Sequence, residues 1–382
     1  MIVLIALDSF KGSLSARQAC DSLAKGILEE RPDEKVLCLP IADGGDGLID
    51  CLQDTLIAQG WQLKSVSVIG PYGQIIEADY LLKDKIAIIE MARSSGLTLT
   101  PPLQRRTLLA TSFGLGELIA DAVEFGANSI YVGLGGSATN DLGLGAMQAL
   151  GVEFFDSEGI EISHPLRAAD LSQIASVNNE KFLRRFKSLE IHAVCDVDSP
   201  LLGPKGATAV FGPQKGIRED DLCRLEKNIH KAADLLTAYL GWDCRNEAGA
   251  GAAGGMGAAL KWFFNARMVN GANTVLEMLS FDEALAQADL VITGEGSFDD
   301  QSLAGKAPSA VLNRTLREGK SIFLVAGCIK ASKQSCRQLG FTDSFSLLEL
   351  ASDVSESMQN ASALLSQIGK NWAKRHLSKP SE

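Results

Sequence analysis

Tyr131-Val-Gly-Leu-Gly-Gly-Ser-Ala-Thr-Asn-Asp-Leu-Gly-Leu-Gly-Ala-Met-Gln-Ala-Leu150 places small residues, hydroxyls and a carboxylate between a short apolar run and a second segment. Residues 129–132 read as a buried strand, and Leu142, Ala146 and Leu150 return at helical spacing. Between them Gly133, Gly135 and Gly136 permit tight turns, while Ser137, Thr139, Asn140 and Asp141 bring side-chain acceptors near the free amides expected in the first helical turn. Free amides at a helix start bind anions, so strand, glycine turn and helix together read as one α/β unit built for a phosphate.

Three readings of the turn remain open on these residues. Gly133 to Ala138 fits the dinucleotide fingerprint, which favours a nicotinamide-dependent oxidoreductase, although the Ser-Ala-Thr-Asn-Asp that follows is polar for that motif. The same residues are similar to the phosphate loop of small-molecule kinases of the galactokinase and homoserine kinase class. A plain glycine-rich turn with an Asn/Asp cap is the third.

The chain has 382 residues, enough for two domains, and a formal charge of -11. With no basic run to offset repulsion from phosphates, nucleic acid and anionic membranes are not expected partners. The apolar start at residues 1–7 ends at Asp8 without a basic flank, and the stretch from Ala248 to Phe264 is too rich in Gly and Ala to span a bilayer, so a cytoplasmic protein is expected. Eight cysteines without a Cys-x-x-Cys pair and four scattered histidines argue against zinc or a disulfide framework, and leave a carboxylate as the expected general base.

Residues 2–7 and 36–41 read as strands around a helix at about 15–30, and the same grammar returns after residue 290. The expected fold class is α/β: a doubly wound parallel-sheet domain built from residues 1–65 and 286–382, with an inserted mixed α/β domain over 66–285 and a cleft between them. No repeat of 20 to 50 residues is visible.

Further motifs sit at expected strand ends. Asp8-Ser-Phe-Lys11-Gly-Ser follows the first strand, and Pro40-Ile-Ala-Asp43-Gly-Gly-Asp46-Gly47 the second. Their carboxylates can ligate Mg²⁺ or pair with Lys11, while capping and Asp-Gly turns are the plainer readings. Gly294-Glu295-Gly296 leads through Asp299, Asp300 and Gln301 to Gly305-Lys306-Ala-Pro308, where Lys306 precedes a helix start suited to an anion; a strict Walker A loop is absent. Cys195-Asp196-Val-Asp198 follows the apolar residues 191–194, and Gly212-Pro-Gln-Lys215-Gly216 presents one lysine on a turn. Gly249-Ala-Gly251-Ala-Ala-Gly254 matches the dinucleotide pattern but follows a polar stretch, and reads as a close-packed helix entrance.

In this order, these segments resemble the class I bacterial glycerate kinase family over nearly the whole chain. Small departures are Asp141-Leu142-Gly143 for Asp-Gly-Gly, Thr111-Ser112-Phe113-Gly114 for Thr-Thr-Tyr-Gly, and Asp198-Ser199-Pro200 for Asp-Asn-Pro. The resemblance implies ATP-dependent phosphorylation of D-glycerate to 2-phosphoglycerate by two α/β domains flanking a cleft. Phosphoryl transfer then calls for positioning, a metal and positive charge. The nucleotide phosphates are expected on Gly135, Gly136, Ser137, Thr139 and Asn140 with Lys215, and Mg²⁺ on some of Asp43, Asp141 and Glu295. Glycerate is expected toward Asp8 and Lys11 with Asp196 as base, Asp46 and Asp8 competing for that role, and Lys11 and Lys306 neutralising charge. Arg93 and Arg106 are further candidates for the glycerate carboxylate. A homo-oligomer is compatible with the sequence, and a non-catalytic small-acid sensor is the remaining rival.

Overall fold

The computed structural model describes residues 1–299 and 306–377, so the expected Asp300, Gln301 and Gly305 lie outside the described residues. The chain divides into two compact units. A terminal unit contains Met1–Asp43, Asp50–Leu56 and the chain from Gly271 onward; an inserted unit contains Gly44–Ile49 and Ile57–Asn270.

The terminal unit is a five-stranded parallel sheet in the order Asp343–Ser346, Ser321–Ala326, Leu290–Gly294, Ile2–Leu7, Lys35–Cys38. Numbered along the chain this is 2-1-3-4-5, a doubly wound order whose switch point falls between Ile2–Leu7 and Leu290–Gly294. Residues 3–7 are all buried, as a central parallel strand covered on both faces requires. Helix Ala16–Glu30 starts at a capping box of Ser15 and Gln18 and packs on helix Ala361–His376, where the Ser22 and Ser362 hydroxyls meet at 2.8 Å. Trp372 edges onto Phe323 in this core, and full burial of a side chain of that size contributes roughly 3 kcal/mol before entropy is counted.

The inserted unit holds a mixed six-stranded sheet in the order Arg267–Val269, Glu190–Val194, Ser129–Gly133, Ile86–Glu90, Ile75–Lys83, Gln62–Ile69. Its last three strands form antiparallel pairs, and the others are parallel. Phe154, Phe182 and Tyr80 anchor its core.

Three stretches fall in the other unit from the expected one, Gly44–Ile49 among them. Residues 271–285 belong to the terminal unit, because helix Gly271–Met278 packs on helix Ala307–Arg317, and Arg314 there reaches Asp282 at 2.8 Å and Glu277 at 3.6 Å. Residues 57–65 belong to the inserted unit, because Gln62–Ile69 pairs along its length with Ile75–Lys83. Near the C-terminus two helices, Val354–Gln359 and Ala361–His376, are separated at Asn360. No helix among the described residues is long and apolar enough to cross a membrane.

Candidate active site

In the terminal unit, the first strand ends at Leu7, opposite Gly294, and the Asp8 amide donates to the Gly294 carbonyl at 2.8 Å. Asp8 and Glu295 therefore leave adjacent strands at the switch point, where doubly wound sheets bind ligands. A cavity of about 360 Å³ opens there, lined by Asp8, Lys11, Asp43, Glu295 and Lys306 on its polar side and by Phe10, Leu347, Val354 and Met358 on its apolar side. Asp8 and Glu295 are buried, Asp43 and Lys306 are half-buried, and Lys11 is exposed. Burial, reinforced by repulsion from Asp43 and Glu295, pushes the Asp8 carboxyl up to about 8, with Lys11 pulling the other way. Lys306 is the N-cap residue of helix Ala307–Arg317, with Pro308 in the first turn as expected.

In the inserted unit, strand Ser129–Gly133 runs into the glycine turn, which is pinned to its neighbour: Leu97 N donates to Gly136 O and Ala138 N to Ser95 O, both at 2.8 Å. Gly135 is pressed against Gly45, where a Cβ would come within 2.2 Å of the Gly45 Cα, and Gly136 takes a left-handed φ of +68°. The exposed Asp46 lies against Gly136. Lys215, in the 3-10 turn Pro213–Lys215, is buried and donates from Nζ to Ser137 Oγ and to Thr139 O, each at 2.8 Å. Its hydrophobic surroundings lower the ammonium to about 7, with Asp141 opposing. Asn140 Nδ2 donates to Thr208 Oγ1 at 3.0 Å, while the buried Thr139 Oγ1 and Asn140 Oδ1 make no hydrogen bond. All six expected nucleotide residues, Gly135, Gly136, Ser137, Thr139, Asn140 and Lys215, thus share one turn and its lysine.

The expected helix start is corrected. Leu142 and Gly143 have φ of +58° and +70°, so helix formation waits until Leu144–Ala149. Its first amides are taken: Gly145 N donates to Asp141 Oδ2 at 3.3 Å and Ala146 N to Ser112 Oγ at 3.0 Å. Those helix amides are therefore already engaged within the protein. Asp141 is the third expected metal ligand. It is fully buried and accepts from Ser112 N, Ser112 Oγ, Gly143 N and Gly145 N, which commits it to the helix entrance; burial raises its proton affinity and these bonds lower it.

Asp196 follows strand Glu190–Val194, whose Val194 carbonyl accepts from Leu134 N at 3.1 Å. It is half-buried, and its Oδ1 accepts from Asn270 Nδ2 at 2.7 Å. It belongs to the inserted unit, with Asp46, and neither lines the terminal-unit cavity. Of the expected metal set, Asp43 and Glu295 line the cavity, and Asp141 belongs to the inserted unit. Among the described residues no three acidic, histidine or cysteine side chains are grouped closely enough to hold a metal. Arg93 pairs with Asp79 at 3.4 Å and Glu90 at 3.7 Å, and neither it nor Arg106 lines the cavity. Gly249–Gly254 leads into helix Ala252–Phe264 and its last carbonyl accepts from Leu142 N, a packing role in place of a dinucleotide one.

Sequence reading missed Glu90. This buried acid ends strand Ile86–Glu90 and bonds the amides of Gly47 and Ile49, and an acid closing an apolar run was its only signal.

The family model described as the glycerate kinase family matches residues 3–377. Glycerate kinase of Bacillus subtilis 168 is 39% identical over 375 residues, covering 98% of this chain and 97% of that protein. Glycerate 2-kinase of Escherichia coli K12 is 37% identical over 375 residues, with the same coverage. A crystal structure of a provisionally named glycerate kinase 2 from Salmonella typhimurium LT2 superposes with a TM-score of 0.81 at 38% identity, covering 98% of each chain. With the strand-end motifs and the parallel sheets that carry them, these matches settle the assignment: the chain belongs to the glycerate kinase family.

Proposed function

We propose that the protein transfers the γ-phosphoryl group of ATP to the 2-hydroxyl of D-glycerate, releasing ADP and 2-phosphoglycerate. Whole-length similarity to a glycerate 2-kinase supports the substrate and the position. The observation that carries the nucleotide half is the Lys215 ammonium, buried and bonded to both Ser137 and Thr139 on a glycine turn. A cation fixed in a low-dielectric site stabilises phosphate oxygens more than one in water does.

The terminal unit supplies the acceptor pocket in this reading. Lys11 and Lys306 balance the glycerate carboxylate, and Asp8 takes the 2-hydroxyl proton as that oxygen attacks phosphorus and the bond to ADP breaks. Asp8 lines the cavity with Lys11, which places its carboxylate to take up that proton. Asp196, in the inserted unit with its Oδ1 accepting from Asn270, is the competing base. Asp43 and Glu295 fit Mg²⁺, whose usual protein share is one or two carboxylates beside phosphate oxygens and water. When bound, that ion neutralises charge on the transferring phosphoryl group.

The test is ADP release with Mg·ATP across a panel of hydroxy acids. ADP formation confined to D-glycerate supports the reading. Release independent of any hydroxy acid, or none with D-glycerate, overturns it.

A further inference from the structure

Glu90 is almost fully buried, at 1% exposure, at the end of a strand that registers with Gly133. Its two carboxylate oxygens accept from Gly47 N at 2.8 Å and Ile49 N at 2.9 Å, gripping both the end of the Gly44–Gly47 loop and the first turn of helix Leu48–Ala58. These amides lack helix-internal acceptors, and a carboxylate at that end is favoured by the helix dipole. On its other side, the same loop abuts the phosphate turn: Gly45 meets Gly135 and Asp46 meets Gly136 so closely that neither glycine has room for a Cβ without movement. The loop is thus held between a buried carboxylate and the turn that receives the nucleotide.

We propose that Glu90 is a positioning residue for nucleotide binding: its bidentate grip on Gly47 and Ile49 fixes Asp46 beside Gly136, so that the phosphate turn is already shaped before Mg·ATP arrives. The inference rests on the assignment of that turn to the nucleotide. The groups around Glu90 are Arg93 at 3.7 Å, itself paired to Asp79, and Asp46. Burial raises Glu90 to about 7, while the two amides and Arg93 hold it down. Removing the grip frees the loop without removing any group that touches the nucleotide.

The test compares Glu90→Gln, Glu90→Asp, Asp46→Ala and the Glu90→Gln/Asp46→Ala double variant by calorimetric Mg·ATP binding, steady-state kinetics and thermal unfolding. Glutamine keeps one acceptor but turns an NH₂ toward the other amide, so Glu90→Gln should weaken Mg·ATP binding roughly tenfold or more and change kcat much less. Glu90→Asp, with its charge but a shorter reach, should fall between. The double variant should bind no worse than Asp46→Ala alone, because Glu90 acts through the loop that carries Asp46. Wild-type nucleotide affinity in Glu90→Gln, or additive losses in the double variant, overturns the proposal. Where Glu90→Gln does not fold, Glu90→Asp decides, with unchanged affinity counting against the role. Lys215→Met serves as the control on the assignment beneath: unchanged Mg·ATP binding there refutes the nucleotide turn itself, separately from Glu90.

Discussion

The ammonium of Lys215 and the hydroxyl of Ser137 lie 2.8 Å apart in the buried wall of the glycine turn, and the same ammonium reaches the Thr139 carbonyl at 2.8 Å. A lysine enclosed in this way holds its charge only because neighbours accept its protons, and it has spare donor capacity for an arriving anion. In the proposed function that pairing is what receives the nucleotide phosphates.

Lys215 gives the nucleotide step a pH dependence. Burial lowers its folded-state value to about 7, so it is charged below that pH and loses its proton as pH rises through it. The expected outcome is that Mg·ATP binding affinity, measured without glycerate, declines above about pH 7, approaching about tenfold per pH unit, while Lys215→Met binds weakly with no such dependence over the same range. A wild-type profile that stays level to pH 9 contradicts this role.

Asp8 is the general base in this account. Asp8→Asn should lower kcat by roughly 10² to 10⁴ and leave ATP affinity nearly unchanged. Measuring Asp196→Asn and Asp46→Asn in parallel distinguishes the competitors, because only the base should combine so large a loss of kcat with intact substrate binding.

In this account Lys306 meets the acid substrate. Its replacement by methionine removes a charge from the cavity wall beside Asp8 and Glu295. Loss of a charge-assisted hydrogen bond should raise the glycerate KM by roughly 10- to 100-fold with little change for ATP. Equal rises for both substrates would place Lys306 on the nucleotide instead.

Asp141 separates a cap from a metal ligand. Asp141→Asn sets an NH₂ against the Ser112, Gly143 and Gly145 donors, and should cost about 1–3 kcal/mol of unfolding free energy. Its Mg²⁺ dependence should match the wild type once corrected for folded protein. A selective rise in the Mg²⁺ requirement would restore it as a ligand.

The strand-end chemistry was readable because each motif interrupts a buried apolar run: Asp8 after Ile2–Leu7, Glu295 after Leu290–Gly294, the glycine turn after Ser129–Gly133. What escaped reading depends on distant partners or on backbone sign. Nothing near Glu90 in sequence points to Gly47 and Ile49, more than forty residues away. The left-handed Leu142, a rare conformation for a branched side chain, delays the helix and leaves Asp141 accepting amides at its entrance. The unit boundary at Gly271 was hidden because the partner of that helix, Arg314, follows after an intervening strand.

The most direct measurement is the position of the phosphate in the product, read by phosphorus–proton correlation NMR after incubation of the purified protein with Mg·ATP and D-glycerate. The account predicts a single phosphomonoester resonance, apart from those of ATP and ADP, coupled to the lone proton on carbon 2. Coupling to the carbon 3 methylene protons, or no phosphorylated acid at all, would contradict it.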